Sequence, residues 1–128
     1  MILYINTIKD EADKIEIKVK KDGKTLTSKI EKARARQSEK LIPSIEKVLK
    51  NQKINIKDIK RIEVENYGGS FTALRIGVTT ANALGYALNI PVVGTKESKL
   101  KKTIFSVIEP IYNKNPDITI SRKKLLED

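Results

Sequence analysis

The segment from Ser70 to Asn89 constrains the fold most, because it is apolar around most of the circumference of a helix. Small residues recur every four positions along one side of it, and larger apolar residues lie beside them. The small residues are Ala73, Gly77, Ala81 and Gly85, and the larger ones are Leu74, Val78, Leu84 and Leu88. Glycine inside a helix costs roughly 1 kcal/mol against alanine, so a close packing contact must compensate for the two glycines.

Two arrangements can bury the apolar surface of this helix. In the first, its own sheet covers one side and a helix of a partner protein packs against the small residues. In the second, the sheet and the preceding helix bury it completely. The first arrangement predicts a protein–protein interface. Further apolar surface is expected at Ile76, Ala83 and Ala87. The polar edge of the helix consists of Arg75, Thr79, Asn82 and Tyr86.

Strand patterns come before this helix. Residues 2 to 7 form a short apolar run without helical period, which is typical of a buried central strand. Residues 14 to 20 alternate apolar and charged side chains, as a half-solvated strand does. Asp22 and Gly23 predict a hairpin turn into a third strand at residues 24 to 30. The chain therefore starts with an antiparallel meander.

A helix, a strand, the apolar helix and a last strand follow. From Ser38, a candidate N-cap, to Asn51 the apolar residues fall on one helical arc, and Pro43 should bend this helix or move its regular part downstream. The residues of the arc are Leu41, Ile42, Ile45, Val48 and Leu49. Residues 55 to 58 are a connector, and strands are predicted at 60 to 65 and 91 to 95. This order predicts an α/β fold with a mixed five-stranded sheet, one lobe of the ribonuclease-H-like architecture of the actin-like ATPase superfamily.

Composition removes several classes of enzyme. The chain has 128 residues, enough for one lobe but not for two lobes with a cleft between them. It has no cysteine and no histidine, so disulfides, ordinary zinc sites and histidine-based hydrolysis are excluded. Its apolar runs are too short for a membrane span or a leader, so we expect a cytoplasmic protein. No carboxylate pair suits magnesium, and no cofactor is expected.

A net charge of +10 raises the alternative of a basic RNA-binding module. The lysines are scattered along every segment and far outnumber the arginines, which also suits a solvated basic surface. Binding that falls steeply with added salt would distinguish the two.

Several motifs occur in the order found in one family. Residues 69 to 81, GSFTALRIGVTTA, and residues 87 to 94, ALNIPVVG, resemble the TsaB signature GPGSFTGLRIGVATA and the strand after it. The opening MILYINT, the run SEKLIP at 38 to 43 and the run IEPIYNKNPD at 108 to 117 are similar to further TsaB motifs. The chain thus resembles the TsaB family of tRNA threonylcarbamoyladenosine biosynthesis proteins, in a compact form that lacks the second lobe.

The departures from the TsaB pattern concern phosphate chemistry. Asn6 stands where the family has aspartate, and Ile8 where it has a small polar residue. The loop Gly68, Gly69 and Ser70 is compatible with phosphate binding at a helix N-terminus, but a tight turn with Ser70 as helix cap is the favoured interpretation.

The resemblance implies a subunit without its own active site. Family members bind TsaD, the paralogue that carries the active site, through the two helices, and they also form homodimers. The ATPase TsaE joins the pair, and tRNA is reached through the complex. The implied interface residues are Leu41, Ile45, Leu49, Ala73, Leu74, Gly77, Val78, Ala81, Leu84, Gly85 and Leu88. The alternative is a nucleotide-binding or phosphotransfer protein of actin-like ancestry, which ATP titration would reveal.

We expect two parts in the chain. Residues 1–95 form the TsaB-like amino-terminal lobe, and residues 96–128 form a short connector and a carboxy-terminal tail packed on the same lobe. In the tail, 96 to 100 should connect and 104 to 111 should be extended.

Overall fold

The structure is a computed structural model, and it describes residues 1–68 and 70–96. Gly69 and the expected extended segment at 104 to 111 lie outside the described residues. The expected connector at 96 to 100 also lies outside them, except for its first residue, Lys96. No helix among the described residues is long and apolar enough to cross a membrane.

A mixed five-stranded sheet forms one layer, with strand order β3-β2-β1-β4-β5. β1 pairs antiparallel with β2 and parallel with β4, while β2–β3 is antiparallel and β4–β5 parallel. The predicted meander and mixed sheet are confirmed. The strands are β1 (Ile2–Ile8), β2 (Lys14–Lys21), β3 (Lys24–Lys32), β4 (Arg61–Val64) and β5 (Val92–Gly94).

The hairpin turn falls where the sequence placed it. Asp22 and Gly23 have φ of 54° and 78°, and Lys21 pairs with Lys24 across them. Positive φ at both central residues is the type I′ geometry that matches the twist of the flanking strands. Asp and Gly tolerate this geometry, which explains the abrupt reversal after β2.

Two long helices, α2 (Gln37–Asn51) and α3 (Phe71–Leu88), pack on one face of this sheet. A short helical turn, α1 (Lys9–Ala12), joins β1 to β2, and a 3-10 turn (Ile56–Asp58) precedes β4. α2 and α3 each follow a strand that runs parallel to β1, so the two helices lie side by side in the same direction.

The core lies between the helices and the sheet. Every second residue of the central strands faces it, and these side chains are fully or almost fully buried. They pack in register across the strands, as Leu3 with Val19 and Ile62, and Ile5 with Ile17 and Val64. For β2 and β4, alternation in the sequence therefore identified the core side of the strand.

Two expectations for α2 need correction. Ser38 does not cap α2, which begins one residue earlier at Gln37 and has no side-chain cap at Arg36. Gln37 instead donates from Nε2 to the carbonyl of Ala12, 2.7 Å away, and this contact fixes the start of the helix. Pro43 lies inside α2, so the regular part of the helix is not moved downstream.

The turn α1 between β1 and β2 is tight. Asp10, Glu11 and Ala12 have φ of 52°, 58° and 70°, which is the left-handed region. The left-handed conformation costs each L-residue roughly 1–2 kcal/mol of conformational free energy. Ion pairs from Lys14 to Asp10 (3.1 Å) and from Arg34 to Asp13 (2.9 Å) hold the turn against neighbouring elements.

The opposite face of the sheet is polar. The Tyr4 hydroxyl donates to Glu65 at 2.6 Å, and Nζ of Lys20 lies 4.9 Å from the Tyr4 ring centroid. Glu63 accepts from Lys20 at 3.2 Å and from Arg61 at 2.8 Å. This network replaces apolar packing on that face and agrees with the alternation predicted for β2 and β4.

Burial raises the pKa of the Tyr4 phenol, and the adjacent Glu65 carboxylate raises it further. The folded state therefore favours the neutral phenol, whereas the unfolded chain loses this proton near the ordinary pKa of about 10. The contribution of Tyr4 to stability is complete below that pH and declines above it, by up to about 1.4 kcal/mol per pH unit.

We predict that Tyr4→Phe costs about 1 kcal/mol at pH 8, the value of a lost hydrogen bond, and that this difference from the wild type shrinks or reverses between pH 10 and 11. Urea unfolding of both proteins across this range measures it. An unchanged difference up to pH 11 would contradict the argument.

Candidate partner interface

The exposed sides of α2 and α3 form one continuous surface, which we call the outer helical face. A groove of about 430 Å³ runs between the start of α2 at Ser38 and the first three turns of α3. Ile42 lies one turn beyond Ser38 on the same side of α2, and it is 41% exposed. The outer helical face consists of Ser38, Ile42, Thr72, Arg75, Ile76, Thr79, Thr80, Ala83, Tyr86 and Ala87.

The stripe of small residues does not belong to this face. A Cβ on Gly77 would collide with the Thr7 hydroxyl of β1, and a Cβ on Gly85 would collide with Val92 of β5. The Thr7 hydroxyl donates to the carbonyl of Ala73 at 2.6 Å, and Ala81 is fully buried. The glycines and alanines therefore let α3 approach its own sheet, and the prediction that this stripe packs against a partner helix is wrong.

The larger predicted interface residues are also mostly internal. Their side chains fill the space between the two helices and the sheet, so they offer no surface to a partner while the lobe is folded. Only Leu84 and Leu88 are partly exposed. The buried residues are Leu41, Ile45, Leu49, Leu74 and Val78.

The sequence pattern predicted apolar surface at Ile76, Ala83 and Ala87. It assigned Arg75, Thr79 and Tyr86 to a polar edge, and so missed that all of these residues form one face. Five short side chains, either alanine or threonine, lie on the side of α3 away from β1. They belong to Thr72, Thr79, Thr80, Ala83 and Ala87. A second run of small residues, offset from the first, was the available signal. It predicts a surface on which another helix can approach closely.

Two larger side chains rise from this surface. Tyr86 is 78% exposed, the highest value among the large hydrophobic residues that the structure describes as exposed. The Arg75 guanidinium lies 5.5 Å from the centre of the Phe71 ring, which holds it over the start of α3. Tyrosine and arginine are enriched among residues that contribute most to binding energy. The outer helical face thus combines short side chains with two larger side chains that could anchor a partner.

The start of α3 is held by the predicted cap. Ser70 accepts from the backbone N–H of Ala73 at 3.4 Å, and Gly68 has φ of +81°, where L-residues are strained. At the other end Asn89 takes a left-handed conformation (φ 59°) and closes the helix as the sequence indicated.

Asn66 is a further positioning residue that the sequence did not reveal. It is fully buried, accepts from the backbone of Lys96 at 3.1 Å, and packs against Gly94. Thr95 donates to Glu65 at 2.7 Å beside it. These contacts tie the loop after β4 to the end of β5. The signal in the sequence for this positioning role was a polar residue directly after an alternating strand.

A second cleft of about 500 Å³ lies where the turn α1 meets the starts of α2 and α3. Its lining includes Glu11, Arg34, Gln37 and Ser70, and it contains neither Asn6 nor Ile8. Asn6 accepts instead from the backbone of Ile8 at 2.9 Å. Among residues 1–68 and 70–96, no group of three His, Cys, Asp or Glu is placed to hold a metal ion.

The fold is that of a single ribonuclease-H-like lobe of the actin-like superfamily, with a helix-bearing face and a polar face. Two solved structures share it: "YeaZ from Pseudomonas aeruginosa" and a Pseudomonas aeruginosa protein described as uncharacterized with similarity to peptidase YEAZ. Each aligns with a TM-score of 0.66 and 21% identity over 73% of this chain and 42% of the other.

Residues 25–118 match the family model described as TsaD: tRNA N6-adenosine threonylcarbamoyltransferase. The chain belongs to this family. It is also similar to the tRNA threonylcarbamoyladenosine biosynthesis protein TsaB of Buchnera aphidicola subsp. Schizaphis graminum (strain Sg), with 35% identity over 71 residues. That alignment covers 56% of this chain and 34% of the relative, so the chain spans about a third of the protein it matches. The resemblance to TsaB is confirmed.

Proposed function

We propose that this chain is a non-catalytic subunit of the machinery that makes threonylcarbamoyladenosine in tRNA, and that it binds TsaD through the outer helical face. The observation that carries the proposal is the pair of parallel helices whose exposed sides present small and apolar residues to solvent. The TsaB relative and the TsaD-type family model support this assignment.

The chemistry of the face suits helix packing. Thr79 and Ala83 are exposed and short, so a helix of TsaD can approach α3 closely there. Ile42 and Tyr86 flank this strip and supply apolar area that becomes buried on binding. Homodimerisation in the absence of TsaD would use the same surface, and TsaE would join the assembled pair.

The nucleotide-binding alternative depends on the cleft beside Ser70. The positive end of the α3 dipole and the exposed Arg34 favour an anion there, whereas Glu11 opposes one. Arg34 is already ion-paired with Asp13. We therefore expect at most weak nucleotide binding and no ATP hydrolysis.

Mixing the purified chain with TsaD tests the proposal. We expect a stoichiometric complex in size-exclusion chromatography, with an affinity measured by isothermal titration calorimetry. The same instrument, loaded with ATP in place of TsaD, tests the alternative. Absence of a TsaD complex together with a stoichiometric, low-micromolar ATP complex would replace the subunit proposal with the nucleotide-binding one.

A further inference from the structure

Exposed lysines gather at one end of the lobe, opposite the starts of α2 and α3. This end is formed by the β2–β3 hairpin, the start of β1, the end of α2 and the segment leading into β4. Lys60 donates from its backbone to Met1 at 2.8 Å, and Ile2 pairs with both Lys20 and Arg61, which brings these segments together. We call this surface the lysine end; its residues are Lys21, Lys24, Lys50, Lys53, Lys57 and Lys60.

The six lysines of the lysine end differ in ion pairing from several neighbouring basic residues, since Lys20 and Arg61 beside them both contact Glu63, at 3.2 and 2.8 Å. Lys9, Lys14, Arg34 and Arg36, near the other end, are each within 4 Å of a carboxylate, at 3.7, 3.1, 2.9 and 3.1 Å. None of the six lysines of the lysine end forms a salt bridge within the described residues. The acidic residues in the same segments are Asp22 and Asp58.

We infer that the lysine end binds the phosphate backbone of RNA directly. Ammonium groups without carboxylate partners can neutralise RNA phosphates, and the cations condensed on the RNA are then released, which drives association. Adjacent strands lie about 4.8 Å apart, so the row from β3 to β4 is about 14 Å wide, enough to contact several phosphates. This inference goes beyond the proposed function, which reaches tRNA only through the complex.

The composition of the lysine end favours RNA over other anionic partners. Its lysines are flexible point charges, and the adjacent Arg61 guanidinium already contacts Glu63 at 2.8 Å, which suits contact with phosphates without base recognition. The surface is also separate from the outer helical face, so the failure of either proposal leaves the other intact.

The test uses the full chain and a labelled 20-base-pair RNA duplex of arbitrary sequence, with binding followed by fluorescence anisotropy at several salt concentrations. The variant Lys24→Gln/Lys60→Gln removes two charges from the lysine end. The matched control, Lys32→Gln/Lys47→Gln, removes two exposed lysines elsewhere that also form no salt bridge in the described lobe.

For the lysine-end variant we expect a loss of at least tenfold in affinity at about 0.1 M salt, and a slope of log K against log salt that is shallower by about 2. The control should stay near the wild type. Equal losses in both variants would overturn the inference, because total charge would then explain the binding. Absence of RNA binding by the wild type at low salt, or binding of a polyglutamate peptide in place of RNA, would overturn it too.

Discussion

Replacing Gly77 with leucine is expected to destabilise the free chain by about 3 kcal/mol or more, at the upper end of the usual cost of overpacking. Even a Cβ at this position meets the Thr7 side chain, whose Cγ2 would be 3.0 Å away. Thr7 cannot rotate aside without losing its hydrogen bond to Ala73. A loss of this size is a large share of a typical stability of roughly 5–15 kcal/mol. Circular dichroism during urea unfolding measures it.

Ala83→Leu is the control for this prediction. It adds the same kind of side chain to the same helix, but on the exposed side. The free energy of unfolding should change by about 0.5 kcal/mol or less. If Gly77→Leu proved as stable as Ala83→Leu, α3 would not pack on β1 as the structure describes.

Ala83→Arg is expected to weaken binding to TsaD by roughly tenfold to hundredfold while the free chain stays folded. A long charged side chain at this exposed, short position prevents close approach of a partner helix, and overpacking of about 1–3 kcal/mol corresponds to that loss of affinity. Tyr86→Ala should act in the same direction, because it removes an exposed aromatic anchor. Titration calorimetry against TsaD measures both.

Lys47→Glu serves as the control for the interface, because Lys47 is exposed on α2 away from the groove shared with α3. A surface charge of this kind is typically worth less than 1 kcal/mol. Unchanged affinity in Ala83→Arg, with folding intact, would exclude the outer helical face as the contact.

The hydrophobic pattern predicted β2 and β4 well because each of these strands has one buried side. Ile15, Ile17 and Val19 alternate with charged residues, and only one register places all three in the core. The Asp22-Gly23 turn and the Ser70 cap were predictable for a different reason. Their geometry depends on a few local residues and not on the remainder of the fold.

The candidate interface was not predictable to the same degree. A glycine stripe signals close approach by some neighbour, but it does not distinguish a strand of the same lobe from a helix of another protein. On α3, apolar or short residues occur on both sides, so periodicity alone left the orientation of Gly77 and Ala83 open. The contact with Thr7, 70 positions earlier in the chain, decides it. Such a tertiary contact has no local signature in the sequence.

The place of β1 at the centre of the sheet also governs the order in which the lobe can form during synthesis. β1 pairs with β2 soon after both leave the ribosome, but its other neighbour, β4, begins at Arg61, and α3 ends at Leu88. At about 5–20 residues per second the apolar side of β1 therefore stays without α3 for several seconds, although α2 is available earlier to cover β2 and β3. The lysines of the edge strand β3 oppose pairing with other chains during that interval.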